Sequence, residues 1–201
     1  MKQLVKILLF GDQADHTLAD ALYHYHTSRG QKVCALSMAG NTGDHRAQTD
    51  MMREKAWDYL IVESEHADIV SHMRPDIFVF KENHTAFKKP CFSAAFPRFI
   101  VFSAADELAS PLFYACPAGL IPCGLSEKDT LTFSSIETAS GCISLQRGLE
   151  NLHGEIVEPC EMKFTCSIPF SYYHALSFSA LLFLMEKRDS LPAYVEISAF
   201  S

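Results

Sequence analysis

Residues 6–17, Lys-Ile-Leu-Leu-Phe-Gly-Asp-Gln-Ala-Asp-His-Thr, constrain this chain more than any other stretch. Residues 5–10 form an apolar run of strand length that Gly11 ends, and a helical pattern opens near Asp15 or His16. A buried strand, a Gly-led turn and a helix N-terminus place backbone N–H groups and the positive end of the helix dipole around one spot. That layout is an anion cradle, built from Gly11, Asp12, Gln13, Ala14, Asp15, His16 and Thr17. A competent phosphate loop also carries Gly-Lys-Ser/Thr at the helix start. Here those positions read Ala14-Asp15-His16, so an aspartate stands where the phosphate-neutralising lysine belongs.

The pattern downstream repeats the strand–helix alternation. A helix is expected over 16–29, with Leu18, Ala21, Leu22 and Tyr25 on its apolar face and Gly30 as its stop. Strands are expected over 32–38, 59–63, 76–80 and 100–103, with short helices over 50–55, 67–73 and 106–113. Short, near-continuous apolar strands between helices indicate a parallel sheet covered on both faces. After residue 115 the texture changes to short β-like segments at 120–123, 131–136, 141–146, 154–157 and 163–168. A long apolar helix over 171–187 follows, and the tail 192–201 is either weakly structured or a last edge strand. The expected fold class is α/β in one domain, 1–201: a parallel part (1–115), a small β-rich lobe (116–170) and a long helix (171–190).

Composition narrows the function classes. The 201 residues can bury a substantial core, and 48% hydrophobic with 20% charged residues is a globular balance. A formal net charge of -7 argues against nucleic acid or an anionic membrane as partner. No secretory signal pattern opens the chain and no apolar run is long enough to span a bilayer, so a cytoplasmic location is expected. The seven cysteines include no Cys-x-x-Cys pair, so reduced thiols are the expectation. No Gly-x-Ser-x-Gly elbow supports a serine hydrolase.

In order and spacing these landmarks resemble the central, ATP-binding domain of the Mur ligase family, the ATP-dependent amide ligases of peptidoglycan synthesis. The resemblance runs over about residues 3–187: Gly11 to Thr17 for the phosphate loop, Asp58-Tyr59-Leu60-Ile61-Val62-Glu63 for the strand ending in a metal-linked Glu, and Arg74-Pro75-Asp76 leading to Asn83. Phe102 to Asp106, Ile121 to Leu125, and Pro169 to Ala175 opening the long helix complete the series. It leaves out both flanking domains of the family. The resemblance implies a P-loop topology, with ATP at Gly11–Thr17 and Mg²⁺ at Glu63.

The departures fall on the chemistry. The loop Lys corresponds to Asp15 and the metal-binding Thr/Ser to His16. The family's Asp-His pair after the fourth strand is missing from Asn83 to Phe87, and its late His-Asn-x-x-Asn cluster reads Tyr172-Tyr173-His174-Ala175. A carboxylate at Asp15 repels a polyanion by ~1 kcal/mol or more in a wet site. It suits instead the N-terminus of a helix.

The leading expectation is therefore a degenerate Mur-ligase-like domain that binds a small molecule or protein partner, with no confident cofactor and no catalytic residue assigned. The pathway by analogy is cell-wall or amino-acid-polymer metabolism. One alternative is an ATP- and Mg²⁺-dependent amide ligase subunit completed by other chains, with Glu63 on the metal and His84 or His174 assisting; Asn83 is a further site candidate. Another is a metal-dependent enzyme using His16, Asp20 and His24, which share one helix face at i, i+4 and i+8, together with His45, Glu63 or His84. Glu65 and His72 are weaker candidates of the same kind.

Overall fold

Successive residues of a strand point to opposite faces, and both faces here are apolar. Ile7 and Leu9 join one core cluster while Leu8 and Phe10 join the other. Ile77 and Val79 divide from Phe78 and Phe80 in the same way. Such strands need cover on both sides, which is the condition for a buried parallel sheet.

The computed structural model describes residues 4–38, 56–66, 69–84, 96–106, 117–167 and 170–197. Its elements are β1 (Val5–Phe10), α1 (Thr17–Ser28), β2 (Val33–Ser37), β3 (Tyr59–Ser64), α2 (Ile69–Met73), β4 (Ile77–Phe80), β5 (Phe99–Ser103) and β6 (Gly119–Cys123). Then come β7 (Leu131–Ile136), β8 (Ser140–Leu145), β9 (Leu149–Glu150), β10 (Ile156–Val157), β11 (Cys160–Cys166), α3 (Tyr172–Met185), a 3-10 turn (Arg188–Ser190) and β12 (Tyr194–Ile197). The helices expected over 50–55 and over most of 106–113 lie outside the described residues.

Ten strands form one sheet in the order β12-β11-β8-β7-β6-β5-β4-β1-β3-β2. All neighbours pair in parallel except β8, which runs antiparallel to both β7 and β11. The fold is therefore α/β on a mostly parallel sheet, as the sequence pattern indicates. The β-rich half extends the edge of that sheet; β9 and β10 pair separately. The tail supplies edge strand β12, beside Lys163–Cys166 of β11.

Helices α1 and α3 cover one face and α2 contributes to the other. Every residue of α3 from Tyr173 to Met185 is buried, so this helix is apolar all round and serves as core rather than surface. It starts where the Ser171 side chain accepts the His174 N–H at 3.0 Å, a standard N-cap. The Tyr25 and Phe178 rings meet edge-on at 5.8 Å between α1 and α3. The Tyr173 hydroxyl donates to the Phe80 carbonyl, fixing the first turn of α3 against the end of β4. Loops after β1, β3, β4 and β5 and the start of α3 thus converge on the carboxyl edge of the sheet, where open α/β sheets bind their ligands.

Candidate functional site at the carboxyl edge

Gly11 sets the site's backbone. Its φ of +145° lies in the region that favours glycine, and a Cβ there would stand 2.7 Å from the Lys81 Cβ and 3.1 Å from the Asn83 carbonyl. The close approach lets the 11–17 loop settle onto the ends of β3 and β4.

Settled there, the loop spends the N–H groups of Gly11 to Asp15 and of Thr17 on the protein itself. The Gly11 N–H donates to the Ser64 carbonyl (3.1 Å) and the Asp12 N–H to the Asn83 carbonyl (2.8 Å). The Gln13 N–H donates to Glu65 Oε1 (3.2 Å), and the Ala14 N–H to Asp12 Oδ1 (2.9 Å). The Asp15 N–H turns to the Asp12 carbonyl (3.4 Å) and the Thr17 N–H to Asp15 Oδ1 (3.1 Å). In a phosphate loop these N–H groups converge on an external anion. Here protein carboxylates and carbonyls have taken their place, and Asp15 is the anion at the N-terminus of α1.

Lys81 reverses the loop's polarity. It follows β4 directly, and its ammonium lies under the loop, donating to the Asp12 carbonyl (2.8 Å), the Asp15 carbonyl (2.5 Å) and Glu63 Oε1 (2.5 Å). Its side chain is 2% exposed and that of Glu63 is 4%. A Lys ammonium has three donors, and three acceptors are present. The second Glu63 oxygen meets the His16 Nδ1 at 2.5 Å. Both oxygens of the carboxylate that the family resemblance assigns to metal are thus engaged by protein cations or donors.

Two further histidine–carboxylate contacts flank this centre. His174 Nε2, from the first turn of α3, lies 3.0 Å from Asp15 Oδ2. His84 Nε2 contacts Asp106 Oδ2, with its ring against those of Phe10 and Phe80. Burial pushes the Asp15 carboxyl up, but the Thr17 hydroxyl and N–H and the His174 imidazole outweigh it, leaving the group below its ordinary value of 3.8.

The sequence candidates therefore separate. Asp12, Gln13, Asp15, His16, Glu63, Glu65, Asn83 and His174 surround the loop, and His84 lies beside it. Asp20 and His24 follow His16 along α1, but the His16 imidazole is turned to Glu63. Among the described residues no group of three or more His, Cys, Asp or Glu side chains is arranged to hold a metal ion. His72 is exposed on α2, and His45 lies outside the described residues. Sequence reasoning missed Lys81 and Asp106. The signal for Lys81 was present: a lysine directly after an apolar strand, on the strand that pairs with β1 at Phe10↔Phe80.

No family model matches this chain, and no curated protein matches it. Among solved structures it is similar to MurF from Acinetobacter baumannii, with a TM-score of 0.57 and 14% identity over 90% of this chain. The match covers 43% of that protein, so this chain spans less than half its length. At such identity the likeness establishes a Mur-ligase-like fold and leaves the chemistry to be argued from the side chains. Among the described residues no helix is long and apolar enough to cross a membrane.

Proposed function

We propose that this chain is a Mur-ligase-like domain whose phosphate loop has become a structural element, and that it acts as a binding module instead of an ATP-dependent ligase. The observation that carries the reading is the paired state of the loop: its N–H groups from Gly11 to Asp15 already have protein acceptors. Phosphoryl transfer depends on cations and metal aimed at the transferred group. The buried ammonium of Lys81 faces loop carbonyls and Glu63, while Asp15 and Glu65 bring carboxylates to the loop's own N–H groups. By likeness of fold, the proposed setting is cell-wall or amino-acid-polymer metabolism.

The test is thermal unfolding with and without Mg²⁺-ATP, beside an assay for ATP turnover. A ligand at one hundred times its dissociation constant adds about 2.7 kcal/mol, a readable rise in melting temperature. The expected result is no shift at millimolar nucleotide and no turnover. A clear shift would overturn the reading and favour a ligase subunit completed by other chains.

A further inference from the structure

We propose that the cleft around Tyr172 is a binding site for an organic cation, an ammonium or guanidinium group carried on an apolar body. The inference takes its location from the binding-module reading above and adds the ligand class.

Three cavities of about 730, 620 and 410 Å³ share Tyr172 in their walls. Tyr172 is the first residue of α3, and its ring is steadied edge-on by Phe133 at 5.9 Å while the residue remains 60% exposed. An aromatic face left open to a cavity attracts cations through its quadrupole. Leu125 and Ile136, both exposed, supply apolar wall beside it.

Among the described residues, charge around the ring is one-signed: the walls of the three cavities include Glu82, Glu137 and Asp129 and no lysine or arginine. Glu82 and Glu137 have no ion-pair partner among the described residues, and Glu137 accepts only the Ser140 hydroxyl there (2.9 Å). The two cavities at the opposite edge of the sheet are mixed, with Arg98, Arg147 and Lys187 beside Asp58, Asp76 and Glu150. The acidity is thus a property of this cleft and not merely of an acidic chain.

A buried acceptor adds an independent mark. His174 lines the smallest of the three cavities and is 9% exposed; its Nδ1 is sealed from solvent and has no hydrogen-bond partner among the described residues. When Nε2 carries the proton toward Asp15, Nδ1 is a lone-pair acceptor without a donor. An unsatisfied buried acceptor is costly, and an N–H donor is what it lacks. A cation over Tyr172, with N–H groups toward Glu82 and Glu137, suits this lining; a phosphate or carboxylate ligand does not.

The experiment is calorimetric titration of the full chain at low salt with benzylamine and phenylguanidine, with benzyl alcohol and benzoate as neutral and anionic controls of similar shape. Saturable binding of the two cations, weakened by salt and absent for the controls, is expected. Tyr172→Ala and the double variant Glu82→Gln/Glu137→Gln should each weaken it by about ten-fold. All three positions are surface-exposed, and unchanged melting temperatures verify that the variants fold. A parallel arm with Nα-acetyl-lysine methylamide separates sources. Tighter binding of that probe assigns the cation to a peptide side chain, and tighter binding of benzylamine assigns it to a free amine. No saturation by about 10 mM, equal binding of benzyl alcohol, or full affinity in both variants overturns the proposal. A Mg²⁺-ATP shift beside intact amine binding would remove the functional reading and leave this site standing; inert ATP without amine binding would do the reverse.

Discussion

The Lys81 ammonium and the Glu63 carboxylate lie 2.5 Å apart, each nearly sealed from solvent, beneath a loop whose carbonyls complete the lysine's coordination. Breaking a buried ion pair from one side leaves an uncompensated charge, whereas replacing both partners is often close to neutral. Lys81→Met should therefore lower unfolding stability by about 3–5 kcal/mol. Lys81→Met/Glu63→Gln should recover a large part of that loss. Urea unfolding of the wild type, both single variants and the double variant measures the coupling; simple additivity would show that the pair is not what holds the loop.

The strands carrying this pair were legible because their period of two is written on both faces, as in Leu8 and Phe10 against Ile7 and Leu9. The turn at Gly11 and the stop at Gly30 were legible too, since both glycines have positive φ. The strand β11 begins at Cys160, ahead of the expected 163, because Cys160 and Glu161 pair with Leu145 and Ser144 through backbone and need no apolar pattern. The two-residue β9 is too short to leave any period. The state of the loop was hidden for a different reason: its acceptors, Ser64, Glu65 and Asn83, arrive from strands more than fifty residues away. Sequence shows an aspartate at the position where the family resemblance expects a lysine; only the fold shows that Lys81 approaches the loop from its other side.

Asp15 should give the stability curve an acid limb. Its carboxyl is held below its ordinary 3.8, with burial opposing and Thr17 and His174 favouring the charged form. A depressed folded-state value means that the unfolded chain takes up the proton first as pH falls. The stabilisation is thus fully present above the ordinary carboxylate range and is lost as pH drops through 3.8 and below. Asp15→Asn should flatten this limb and narrow its stability gap from wild type with falling pH, read from urea midpoints between about pH 6 and 3. A gap independent of pH would remove Asp15 as the cause.

Gly11→Ala should destabilise by about 1–3 kcal/mol, because alanine is strained at positive φ and its Cβ would press on the Lys81 Cβ. Gly30→Ala has positive φ but nothing within 4 Å of the added carbon, so it should cost less. Comparing the two melting temperatures measures what the more extreme φ of Gly11 and its crowding against Lys81 add together. Equal losses would mean that neither the φ of Gly11 nor its contact with Lys81 adds to the cost.

Placing a lysine at position 15 should not confer nucleotide binding. Asp15→Lys removes a repulsive carboxylate, yet the Gln13 and Ala14 N–H groups still donate to Glu65 and Asp12, and Lys81 still holds the Asp12 carbonyl. The variant also loses the acceptor of the Thr17 N–H and the partner of His174, so it should be less stable by about 1–2 kcal/mol. Its melting temperature should remain unchanged by Mg²⁺-ATP. A nucleotide-dependent rise in this variant would mean that the cradle is intact and that charge alone keeps phosphate out. Hydrogen bonding would then be the lesser barrier, and Asp15 rather than the paired loop would account for the proposed failure to bind nucleotide.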